Sequence, residues 1–174
     1  EGRIGVVPWE PELPVHTAWD LGVGDDTAIW FYQEHFSQIR VIDYYAASGN
    51  WAGHYVEILK AKPYAYGDHF VPHDAKVRDW TNEGPEGLAK TRVQTLIELG
   101  IMPKVVPSQK LDDTINAGRR VIPHAVFAAE RCAKGLESLR QEAGYLLVGN
   151  DHDAATNPFA AGIGNVVRID KQPF

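Results

Sequence analysis

The sequence predicts an α/β domain, a mixed β-sheet flanked by helices. Two observations carry that prediction. The early part of the chain is built of short β-rich runs joined by tight connections, and apolar residues then recur at helical spacing with short apolar strands between the helical stretches. Strands separated by helices need crossover connections, which produce a mixed sheet with helices packed on it.

Residues 1–13 are rich in Pro and Glu and read as an N-terminal arm, leaving 14–174 as the domain proper. Val15-His16-Thr17-Ala18-Trp19-Asp20 reads as a strand, and Gly22, Gly24 and Asp25 supply the turn after it. Thr27 to Gln33 is dense in β-formers and reads as a second strand. Gln38 to Tyr45 reads as a third. Short connections favour an antiparallel meander of these three. Trp51, Tyr55, Ile58 and Leu59 then repeat at helical spacing. A strand over 65–71 runs into Pro72-His73-Asp74. A helix is expected over 86–99, with Val93, Leu96 and Ile97 on one face and Gly100 in the stop position. Lys104-Val105-Val106 reads as a further strand closed by Pro107. Ser108 is placed to cap a helix through Leu111 and Ile115, and a last helix carries Ala129, Cys132, Leu136 and Leu139 along one side.

Composition narrows the class. A chain of 174 residues suffices for one domain with a sizeable core. No stretch reaches the roughly 18 uncharged apolar residues of a membrane span, and Glu1-Gly2-Arg3 lacks the basic-then-apolar order of a signal peptide. A single cysteine excludes an internal disulfide framework and a multi-cysteine zinc site, so a cytosolic protein is expected. The net charge of -6 argues against a general nucleic-acid coat protein. It is compatible with a carboxylate cluster that binds divalent cations.

Two acids stand out. Asp20 ends an apolar strand beside a glycine-rich turn, where a carboxylate projects into the space the backbone leaves open. Such a residue also serves simply to start a turn. Asp74 repeats the arrangement after the strand His69-Phe70-Val71, where the plainer role is a helix N-cap. If the two strands are neighbours, both acids converge on one ion, and hard cations such as Mg²⁺ take oxygen ligands of this kind. A third acid is expected towards the C-terminus, where Asp151 and Asp153 follow the apolar run 145–148; a solvated turn is the alternative. Asp25 and Asp26 read as turn residues, with Asp26 near enough for an outer contact. His69 and His73 are four apart on a strand, without the helical H-E-x-x-H pattern of a zinc site. The segment 84–91 is one residue from a phosphate-binding loop but lacks the preceding buried strand, so it reads as a helix start. Cys132 belongs to an apolar helix face, which suits a core residue better than a nucleophile. Arg92, Arg119 and Arg120 are candidates for phosphate contact.

Several segments together resemble the nuclease domain of large terminase subunits of tailed phages and prophages. They are Val15 to Gly22 with Asp25-Asp26-Thr27-Ala28-Ile29, then Ile42-Asp43-Tyr44-Tyr45, Ser48-Gly49 and Tyr55. The likeness is sharpest at Pro72-His73-Asp74-Ala75. It continues through Thr91-Arg92 with Leu96, Gly100-Ile101 and Ile115 to Arg120, and ends near Cys132, Gly135-Leu136 and Leu139-Arg140. It covers residues 14–141, in family order and spacing.

The resemblance implies an RNase H-like fold and a metal-dependent endonuclease that cuts DNA with two divalent ions, Mg²⁺ or Mn²⁺, held by three acids. Asp20 would bridge both ions, with Asp74 and Asp153 (or Asp151) holding one each and His73 or His152 assisting proton transfer. Double-stranded DNA, an ATPase domain, a small terminase subunit and a portal are the implied partners, in the cytoplasm of a bacterial host. From about residue 145 the pattern departs from the family. Aligning His152-Asp153 with the family's His-Asp pair puts Ala160 where the third acid belongs and Asn157 where a histidine belongs. Either Asp153 serves in a shifted register or that ligand is missing. A catalytically degenerate prophage remnant that binds DNA or capsid therefore stays open, as does a resolvase-like nuclease of the same fold. The family's ATPase domain is not contained in this sequence, which fits a cut-out domain or a stand-alone remnant.

Overall fold

The computed structural model describes residues 2–22, 26–76, 78–83 and 89–139. The expected meander forms from β2 (Val15–Asp20), β3 (Thr27–His35) and β4 (Gln38–Ala47), paired antiparallel in sequence order. Their alternation places Val15, Trp19, Ile29 and Phe31 on one face and Ala18, Trp30 and Tyr32 on the other. Both faces are therefore covered.

On the first face lie α1 (Ala52–Ala61), through Tyr55, Val56 and Leu59, and α2 (Arg92–Glu98), through Leu96. On the second, Cys132, Leu136 and Leu139 pack where residues 133–139 are helical. Cys132 is the core residue its spacing suggests. Its thiol donates to the carbonyl of Val41 at 3.6 Å, and burial pushes it up to about 12, so it stays protonated at neutral pH.

The crossovers then extend the sheet. β5 (Tyr66–Val71) pairs parallel with β2, and β8 (Pro103–Val105) pairs parallel with β5. At the opposite edge, β9 (Ala125–Ala128) pairs parallel with β4, and β1 (Ile4–Gly5) with β9. The order is β1-β9-β4-β3-β2-β5-β8, a mixed sheet flanked by helices as the sequence predicts. The N-terminal arm is fastened to it. Gln33, fully buried, donates to the carbonyls of Glu10 and Leu13 and accepts from the Glu10 amide.

Four elements differ from expectation. The helix expected over 86–99 begins only at Arg92, because Thr91 and Gln94 form a reciprocal capping box that sets its start. Ahead of it, β6 (Arg78–Glu83) and β7 (Ala89–Thr91) pair as a separate antiparallel ribbon. Ser108 caps nothing: α3 (Leu111–Val121) starts after Lys110 without a side-chain cap, and Asp112 and Asp113 in its first turn complement the helix dipole instead. The short strand β9 occupies residues just before those expected to be helical. Ala129, expected on the last helix, lies in the turn that follows β9. Among the described residues no helix is long and apolar enough to cross a membrane.

Candidate active site

Parallel pairing of β2 with β5 brings Asp20 and Asp74 to the same end of the sheet. Asp20 is the last residue of β2. Asp74 lies just past β5, in a single 3₁₀ turn, His73–Lys76. The register Thr17 to His69 and Ala18 to Phe70 carries both strands to that end together. Among the described residues Asp74 caps no helix; it lies inside the 3₁₀ turn. Its Oδ1 is buried and has no hydrogen-bond partner among the described residues.

The two carboxylates feel each other. Burial raises Asp20 to about 6, and the negative charge of Asp74 adds to the rise. Among the described residues no side-chain donor or cation meets the Asp20 carboxylate. Two neighbouring acids, one with an orphaned buried oxygen, fit a hard divalent cation, which supplies a positive charge that the described residues do not. Among the described residues no group of three or more His, Cys, Asp or Glu converges. Asp151, His152, Asp153 and Ala160 lie outside the described residues, as do Asp25 and residues 84–88.

Neighbouring residues fasten the strands that carry the acids. Arg92, at the first position of α2, donates to the carbonyl of Leu21 at 3.1 Å and so fastens the backbone directly after Asp20. Beneath the site, the Trp19 indole donates to Thr17 Oγ1 at 2.8 Å. The Thr17 hydroxyl is also hydrogen-bonded to His69 Nδ1, 2.7 Å away, with the donor set by the His69 tautomer. Burial lowers His69 to about 4, so its ring is neutral at neutral pH. It is buried in the sheet, between β2 and β8.

Other candidates go elsewhere. Asp26 makes an exposed ion pair with Lys134 at 3.3 Å, instead of an outer contact to the acids. Arg119 and Arg120 are exposed on the last turn of α3, where they complement the dipole. His73 is exposed beside Asp74. Thr17 escaped sequence reasoning, although a polar residue between two large apolar ones on the same strand face was a usable signal. So did a cleft of about 220 Å³ that Leu21, Gly22 and Arg92 help to line.

No family model matches the sequence, and no curated protein matches it. Solved structures do match. The large terminase of a thermophilic bacteriophage, in complex with ATP-γ-S, superposes with a TM-score of 0.57 at 11% identity, over 78% of this chain and 34% of that one. The ADP complex of the same terminase gives 0.53 at 11% identity, over 72% of this chain and 31% of that one. The large terminase nuclease of the thermophilic phage G20c, solved with bound zinc, gives 0.56 at 13% identity and covers 93% of this chain and 91% of its own. The chain thus spans about a third of the nucleotide-bound large terminase chains and nearly the whole G20c nuclease. Its fold is that of the large terminase nuclease, an RNase H-like mixed sheet flanked by helices.

Proposed function

We propose that this chain is the nuclease domain of a phage DNA-packaging terminase and hydrolyses DNA phosphodiester bonds with divalent ions held by Asp20 and Asp74. One observation carries the reading: two carboxylates that meet no compensating cation among the described residues stand at the ends of adjacent parallel strands, in a fold shared with terminase nucleases. Hard oxygen donors favour Mg²⁺ or Mn²⁺. When bound, such ions lower the pKa of an attacking water and stabilise the leaving oxygen.

The protein's own part is positioning. Asp20 and Asp74 would hold the ions, with the third acid drawn from Asp153 or Asp151. Arg92 keeps the backbone after Asp20 in place, and His73 is available to move a proton at the solvent side. The partners are double-stranded DNA, an ATPase domain, a small terminase subunit and a portal, in the cytoplasm of the bacterial host. Cutting is weakly sequence-specific, because phosphate and metal contacts carry no base information.

Plasmid cleavage in Mn²⁺, Mg²⁺ or EDTA, run beside Asp20→Asn, tests this. Metal-dependent nicking that disappears in the variant is expected; a variant that nicks as fast as the parent overturns the assignment. The alignment of Ala160 with the family's third acid favours a second reading, a degenerate module that binds DNA or capsid without cutting. Calorimetric titration with Mn²⁺ separates the two, since such a module takes up no metal at millimolar concentration.

A further inference from the structure

Trp51 is a large aromatic that the core does not use. It is 69% exposed and directly precedes α1. Its indole lies against the Cα of Gly53, where an added Cβ would stand 2.1 Å from the ring. Glycine at that position gives the indole its seat.

The ring lines the cleft of about 220 Å³, together with Asn50, Trp19, Arg92 and the two residues that follow Asp20, Leu21 and Gly22. That is smaller than the roughly 300–1,000 Å³ that holds a drug-sized ligand, so the cleft suits a single ring system. Arg92 spends one described hydrogen bond on the Leu21 carbonyl. A guanidinium has five N–H donors, so others are left for an anion. An exposed indole, a guanidinium and a cleft one residue from the acid pair together match the chemistry that binds an unpaired nucleic-acid strand: a base stacks on the aromatic while its phosphate meets the cation.

We propose that this cleft is a nucleobase subsite, in which an unstacked base of the DNA strand stacks on Trp51 and the adjoining phosphate meets Arg92. The proposal rests on the nuclease reading and deepens it. It makes Trp51 a positioning residue that holds a frayed or distorted strand beside the acids.

The test uses the full chain, fluorescein-labelled oligo-dT and a blunt duplex of equal length, titrated at low salt in EDTA so that cleavage plays no part. The parent is expected to bind the single strand, with quenching of tryptophan fluorescence. Trp51→Ala should weaken single-strand binding on the order of ten- to a hundredfold. Trp51→Phe should keep most of the affinity, and duplex binding should change little. Gly53→Ala, which displaces the indole without removing it, should give an intermediate loss. A Trp51→Ala protein that binds oligo-dT like the parent overturns the subsite, as does a parent that binds no single strand. Mn²⁺-dependent nicking is read separately. A parent that nicks while Trp51→Ala binds normally keeps the nuclease and loses the subsite; a parent that binds through Trp51 and never nicks does the reverse.

Discussion

Two withdrawn carboxylates on strands of one meander are treated in opposite ways. Asp43, on β4, is nearly buried and well supplied. Lys62 donates to its Oδ2 at 2.5 Å, the Tyr64 hydroxyl donates to the same oxygen at 3.0 Å, and the Tyr44 amide donates to Oδ1 at 2.8 Å. Asp20, on β2, meets no cation among the described residues, and burial with the like charge of Asp74 raises it to about 6. A buried acid that closes its own hydrogen bonds joins α1 to the sheet. An acid pair left short of positive charge disfavours the cation-free fold and favours whatever brings the charge.

The largest change in stability is expected on the satisfied side. Lys62→Met strands Asp43 without its cation and also removes a cation–π contact with Phe31 at 5.0 Å. Breaking a buried pair from one side costs roughly 3–5 kcal/mol, read as a lower urea midpoint. A Lys62→Met protein as stable as the parent would erase the contrast.

Asp20→Asn should act with the opposite sign. The folded-state pKa of Asp20 lies above its ordinary 3.8, so its contribution is fully present below about pH 4 and is lost as pH rises to about 6. At neutral pH the charged form destabilises the cation-free fold by up to about 3 kcal/mol, which the amide removes. Thermal melting in EDTA should show the variant more stable than the parent. Mn²⁺ should raise the parent's melting temperature and leave that of the variant unchanged.

Acidification sharpens the same contrast. His69, lowered from 6.5 to about 4, contributes stability that is present above 6.5 and lost as pH falls through that window; His16, lowered mainly by burial, acts in the same sense. In the parent, Asp20 offsets this loss over almost the same range. In Asp20→Asn that offset is gone while the histidine contribution stays, so denaturation midpoints should fall on acidification by the equivalent of roughly 3 kcal/mol. Equal pH profiles for the two proteins would count against the raised Asp20.

The smallest effect is expected beneath the site. Thr17→Val leaves the Trp19 indole and His69 Nδ1 without partners, for a loss of roughly 1–3 kcal/mol by denaturant titration. Metal uptake by the acid pair should survive it.

Much of the fold was legible in order along the chain. The meander, the strand before Pro72 and the apolar face of α1 follow from alternation, helical spacing and turn residues, all set by near neighbours. Asp20 and Asp74 were legible as acids at strand ends for the same reason. Thr91 and Gln94 show the limit of periodicity: a local capping box starts α2 at Arg92, six residues after the expected start at 86, and frees the preceding segment to pair as a ribbon. Trp51 shows another. Spacing grouped it with Tyr55 and Leu59, yet its place ahead of the first turn of α1 leaves it exposed while they are buried.

By itself, then, the sequence determined which residues form the meander, where the acids stand on their strands, and that Cys132 belongs to the core, because each depends on patterns within a few residues. Only the tertiary structure decided that β5 lies parallel beside β2, so that Asp20 and Asp74 share one end of the sheet. It alone decided that β1 and β9 extend the far edge, and that Asp43 receives a lysine while Asp20 receives none among the described residues. Those outcomes depend on contacts between segments 19 to more than a hundred residues apart. No local period encodes such pairings; burial of both sheet faces at once selects them.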